Sequence, residues 1–313
     1  MTSTVLVSTW NAGLFVFSDS AAQQELPGRL VTALAPDGQG GVLAIVDRRS
    51  LRHRAPSGIW TTLATAETDL SCCVGVGDII YLGTDDPSLL RLTAVGAIEP
   101  LPGFQAVPGR DHWYAGSAII DGKRVGPPLG VRSITATADG AVLLANVHVG
   151  GIPRSSDGGA TWQPTIAIDS DIHDVCAHPT LPNVVAAAAA IGLCTSTDGG
   201  VTWEIEQRGL HALHCSAVAF AGDDVLVSAS EGPFAPKGAI YRRSVDDCGP
   251  LVPVGGGLPT WLAGKVDTHC IAAAGSAVAV VDWRGHLYVS ADRGRTWSHR
   301  ADGFAAPNGV LIL

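Results

Sequence analysis

The octamer "SSDGGATW" (Ser155 to Trp162) returns as "STDGGVTW" (Ser196 to Trp203) and again as "SADRGRTW" (Ser290 to Trp297). A unit repeated every 40 to 50 residues constrains a fold strongly, because each repeat is one supersecondary element that buries its apolar face only against a neighbouring copy. The first two copies start 41 residues apart, and the third starts 94 further on, which is twice 47. A copy is therefore expected near residue 243, where "YRRSVDDCG" carries Ser244 and Asp246 of a decayed octamer.

The same grammar surrounds each copy. "VRSITATADGAVLLANVHVGGIPRSSDGGATWQPTI" reads as strand, turn, strand, loop, strand, octamer and last strand, and the segments from Ile172, His214 and His269 repeat it. Weaker copies begin at Arg29 and Leu70, giving six four-strand units. Composition agrees: 46% of residues are hydrophobic, only 16% are charged, and 38 Gly with 19 Pro punctuate the chain. The first residues, Thr4 to Leu26, supply three strands of a seventh unit, and "NGVLIL" (Asn308 to Leu313) supplies the missing innermost one. Closing a ring with the opposite terminus removes the exposed sheet edge.

The expected fold is therefore all-β. It is a single domain over residues 1–313, a seven-bladed β-propeller of four-stranded antiparallel blades closed by the C-terminal strand. Residues 104–130 fit no blade and are read as an insertion on the active face; six or eight blades are the alternatives, eight if the insertion forms a blade of its own.

The octamers resemble the Asp-box, or BNR, pattern S-x-D-x-G-x-T-W of sialidases, photosystem II assembly factors and sortilin-like receptors. The resemblance spans residues 131 to 302 and implies a propeller whose boxes are hairpin turns between the third and fourth strands of a blade. Ser and Asp would bond local amides, Gly would supply positive φ, and Trp would pack between blades. Asp157, Asp198 and Asp292 are thus expected to be structural, on the face away from the usual propeller active site. Sialidases use three arginines, a Tyr–Glu pair and an acidic proton donor. Here Arg29 and Arg132, with Arg48 or Arg284, could form part of such a clamp, but Glu231 and Tyr114 are the sole Glu and Tyr near the expected face, and the early Arg-Ile-Pro motif is missing. A typical sialidase is not expected.

If the octamers mark one face, residues opening each innermost strand converge on the central channel at the other. Blade by blade these are Arg29, Ser71, Arg132, His173, His214 and His269, with Asn308 on the closing strand. Histidines from adjacent blades suit a divalent transition metal (Zn, Fe, Cu or Mn), so His173, His214 and His269 are the candidate metal ligands. His148, in the next blade's loop, and His112, in the insertion, are candidate bases or acids. Asp171 and Asp267 precede their histidines by two residues and could orient them or act as bases. Arg29, Arg132, Trp113, Tyr114, Glu231 and Trp283 are the candidate substrate-binding residues.

The leading expectation is a metal-dependent enzyme of hydrolase, lyase or isomerase type acting on a small polar organic substrate. One alternative is a non-catalytic propeller that binds a protein partner; another is a metal-free enzyme that binds a carboxylate or sugar with arginines and uses a histidine as base. The net charge of −9, without long Lys/Arg runs, gives no electrostatic footprint for nucleic acid. No apolar stretch is long enough for a membrane span, and the N-terminus lacks the pattern of a secretory signal, so a cytoplasmic protein with reduced cysteines is expected.

Overall fold

The computed structural model describes residues 4–18, 21–93, 96–116, 118–120, 123–125 and 128–313. Seven four-stranded antiparallel blades stand in a ring. Blade one holds Val5–Thr9, Leu14–Ser18 and Ala21–Glu25, with Pro307–Ile312 as its innermost strand; blade two runs from Val31–Pro36 to Trp60–Thr65 and blade three from Leu70–Val76 to Ile98–Pro100. Blade four comprises Val131–Ala136, Leu143–Val147, Pro153–Ser155 and Gln163–Pro164; blade five comprises Ile172–Ala177, Val185–Ala189, Gly192–Ser196 and Glu204–Glu206. Blade six comprises His214–Ala221, Asp224–Ser230, Lys237–Ser244 and Val252–Pro253, with Leu262–Ala263 added on Lys237–Ser244; blade seven runs from Ile271–Ala274 to Ser298–Ala301.

The terminal strands close the ring through the pairs Val5↔Ile312 and Val7↔Val310. The segment between blades three and four forms two short 3-10 turns, Pro102–Ala106 and Arg110–His112, and a hairpin of Ala118–Ile120 with Lys123–Val125. It is not an eighth blade. Residues 117, 121–122 and 126–127 of that expected insertion lie outside the described residues.

Second strands sandwiched between neighbouring blades are buried on both faces, so they read as unbroken apolar runs. Val185–Ala189 is buried at every position, its alanines permitting close approach of the adjoining sheet. The core is accordingly divided into separate clusters between blades, such as the one joining Leu143, Phe104 and Trp162 across blades three and four.

Each octamer is a turn between the third and fourth strands, tied by its own side chains. Ser155 Oγ donates to Asp157 Oδ1 at 2.8 Å and accepts from the Gly159 amide at 2.9 Å, while the Thr161 amide and hydroxyl donate to Asp157 at 2.9 and 2.6 Å. Led by the Thr161 hydroxyl, these bonds draw the Asp157 carboxyl down to about 2. Asp198 and Asp292 make the same bonds to Thr202 and Thr296. Gly158 and Gly159 take φ of 68° and 89°, and Arg293 holds φ of 60° where the other copies have glycine. Every acid of the octamer is thus consumed by the turn. Among the described residues, no helix is long and apolar enough to cross a membrane.

Candidate functional site

With the octamer turns on one face, the loops entering each first strand and those joining second to third strands lie on the other. A β-bulge lets two residues oppose one, re-aiming the extra side chain. Such a bulge occurs near the start of the innermost strand in six blades: the register skips Asn308, Thr32, Ser71, Arg132 and His173 in blades one to five, and falls at Ser216–Ala217 in blade six. The expected register therefore holds for Ser71, Arg132, His173 and Asn308. It slips in two blades, where Thr32 stands in place of Arg29 and Ser216 in place of His214.

These bulge side chains form a chain of latches to the next blade. Asn308 Nδ2 donates to the Val31 carbonyl at 3.1 Å, Ser71 Oγ to the Val131 carbonyl at 2.5 Å, and His173 Nδ1 to the Cys215 carbonyl at 2.6 Å. Across the channel, Thr268 Oγ1 donates to the His173 carbonyl at 3.1 Å and accepts from Arg132 Nη2 at 3.1 Å.

Asp171, just before the innermost strand of blade five, lies on this face. It caps a 3-10 turn in the left-handed region, φ 48°, and this backbone aims its carboxylate between two imidazoles: His148 Nε2 and His173 Nε2 each lie 3.6 Å away. Burial alone would raise the Asp171 pKa, but His173, then His148 and Arg132, bring it below its ordinary value. The His214 ring packs on His173 with centroids 4.5 Å apart. Burial, then neighbouring positive charge, holds both His148 and His214 down to about 4, so both are neutral imidazoles at pH 7. His148 Nδ1 and Asp171 Oδ1 are buried without a hydrogen-bond partner among the described residues. Beside them Lys265 Nζ lies 3.0 Å and Arg132 Nη2 4.0 Å from Asp267, whose carboxyl they hold low against the opposing effect of burial.

The remaining candidates are placed elsewhere. His269 enters blade seven from a turn with φ 62° and faces Asp174 at 3.9 Å. The three expected metal ligands do not converge as they stand, and among the described residues no group of three or more His, Cys, Asp or Glu side chains is arranged to hold a metal ion. Arg29 is half-exposed and paired with Asp47. His112 is exposed beside Asp111. Trp113 is buried against Phe104, its ring centroid 5.7 Å away, and so packs rather than lines the mouth. Tyr114 remains exposed next to Val149, to whose carbonyl its amide donates. Glu231 lies in the second-to-third loop of blade six near His211. Trp283 lines a cavity of about 340 Å³ with Phe234, Lys265 and Arg284, so Lys265 joins this cavity to the Asp267 cluster. Lys265 and Thr268 carry no repeat signature; in "KVDTH" the alternation of Lys265, Asp267 and His269 is the available signal.

No family model matches the chain, and no curated protein matches it in sequence. Solved structures match in fold. An ancestral GH74 enzyme superposes with a TM-score of 0.62 at 13% identity over 98% of this chain, which spans 40% of that enzyme's length. A candidate 6-phosphogluconolactonase from Bacteroides uniformis gives 0.65 at 16% identity, covering 100% of this chain and 99% of its own. The computationally designed Ika8 protein gives 0.59 at 15%, with 96% and 84% covered. At such identities the likeness is one of fold, a seven-bladed propeller, and that fold hosts many activities.

Proposed function

We propose that the chain is an enzyme whose channel mouth performs acid–base chemistry on a small organic anion, without requiring a metal. The observation that carries this reading is Asp171, aimed between His148 and His173 with two neutral imidazoles and two cations close by. Arg132 and Lys265 supply the charge that would hold a carboxylate or phosphate. Because the Nδ1–H of His173 is spent on the Cys215 carbonyl, its Nε2 faces the Asp171 carboxylate 3.6 Å away, and this pair is the one that would pass a proton to the substrate. His148 and His214, kept unprotonated, are the bases that would take a proton from water or from carbon. Two fold neighbours are described as enzymes, one as a candidate lactonase, which makes hydrolysis the first reaction class to try.

The test is turnover of a panel of lactones and esters bearing carboxylate or phosphate groups, with chelator present. Activity is expected to persist, and Arg132→Gln with Lys265→Gln should raise KM for the anionic members only. Activity lost in chelator and restored by a divalent transition metal would instead favour a metal held after rearrangement of His173, His214 and His269.

A further inference from the structure

The octamer does a second job that the decayed copy of blade six cannot do. Its tryptophan fills the cleft toward the preceding blade: Trp162 lies with the blade three–four cluster, Trp203 with four–five, and Trp297 with six–seven. The second glycine makes this possible. A Cβ at Gly159 would come within 3.1 Å of Leu101, at Gly294 within 3.1 Å of Leu226, and at Gly200 closer still to Leu144.

In blade six, Cys248 stands where that glycine should be and Leu251 where the tryptophan should be. The equivalence is fixed by backbone contacts: the Leu251 amide donates to the Arg208 carbonyl at 2.9 Å, as the Trp297 amide does to Gly256 at 2.7 Å. Gly209 and Gly257 back onto the carbonyls of Leu251 and Trp297 in the same manner. A cysteine cannot approach blade five as a glycine does, and leucine is smaller than an indole. A cavity of about 590 Å³ opens between blades five and six, with Phe220, Val225 and Ile205 in its walls. Four acids and two arginines line it; Glu204, Asp246 and Asp247 are exposed, while Arg243 is engaged with Glu206 at 2.8 Å. Arg243 Nε is buried without a hydrogen-bond partner among the described residues, a donor available to a carbonyl entering the cleft.

We propose that this cleft docks an aromatic side chain, tryptophan first, carried by a basic segment of a partner polypeptide. The three sister clefts are closed by the chain's own indoles, so the wall shape already suits that ring, and the net negative lining selects a basic flank. The cleft opens beside the octamer turns, on the face opposite the channel mouth, and does not depend on the reading of that site.

Calorimetric titration of the full chain with N-acetyl-Lys-Trp-Lys-amide tests it. Saturable binding is expected, weaker by about thirtyfold when Ala replaces the peptide's Trp and by about tenfold when Glu replaces its lysines or when Asp246→Lys and Asp247→Lys reverse the rim. Cys248→Gly with Leu251→Trp restores the octamer's second glycine and its tryptophan, and should raise the Tm while abolishing binding. No saturation with the Trp peptide, equal affinity for the Ala peptide, or indifference to the rim reversal would overturn the proposal; the last needs no core substitution.

Discussion

His148 shows how much one residue's surroundings decide its chemistry. An imidazole in water is half-protonated near 6.5, whereas burial and Arg132 hold this one down to about 4. Below 6.5 the unfolded chain therefore takes up a proton that the folded chain refuses, so stability is complete above 6.5 and falls as the pH drops toward 4. The full loss is on the order of 3 kcal/mol for a side chain this buried. Urea denaturation from pH 7 to pH 4 is expected to show this slope, and His148→Gln to reduce it, His214 keeping its own share, whatever the variant's effect at pH 7. The same depression predicts that turnover relying on His148 or His214 as base persists well below pH 6.5 and fails only near 4.

At the scale of the strand, the bulge opening six of the innermost strands links fold to site. It turns one side chain out of the pleat, and in blades one, three and five that side chain bonds the next blade's carbonyl. Ser71→Ala should cost about 1 kcal/mol in chemical denaturation by leaving the Val131 carbonyl only the weak Cys72 thiol donor at 3.6 Å, with no change in activity. The bulges also explain which parts of the site were legible in the sequence. The octamer turns were readable because every bond in them is local, Ser155 to Asp157 to Thr161. Arg132 and His173 were readable because their blades carry that turn at a fixed distance. Arg29 and His214 fall outside the bulge, though His214 still packs on His173, because a bulge is set by pairing with the second strand and by the neighbouring blade, which spacing along one strand does not record. Blade six adds a longer first strand and a decayed octamer, so counting from its start lands two residues early. Lys265 and Thr268 sit in an irregular linker and reach the site through contacts with residues more than 40 positions away, such as the Thr268 bond to the Ser216 carbonyl.

For the molecule as a whole, closure is the decisive step. Blade one exists only when Pro307–Ile312 pairs with Val5–Thr9, so the ring depends on its last residues more than on any single blade. A chain ending at Ala306 exposes the edge of Val5–Thr9 and the flank of Val31–Pro36, and is expected to aggregate or lose its cooperative thermal transition. A truncated chain with unchanged Tm would contradict the closed ring. The ring in turn brings Arg132, Asp171, His173, His214 and Lys265, drawn from three blades and the linker before the seventh, to one mouth. On the function proposed above, this convergence is an acid–base centre for an anionic substrate. It is tested most directly by kcat/KM of the metal-stripped wild-type protein and of Asp171→Asn on the best substrate from the anionic lactone and ester panel. Full wild-type activity in chelator and a loss of about 10²–10⁴-fold in Asp171→Asn are expected. Equal rates for the two proteins, or no wild-type turnover until a metal is restored, would contradict it.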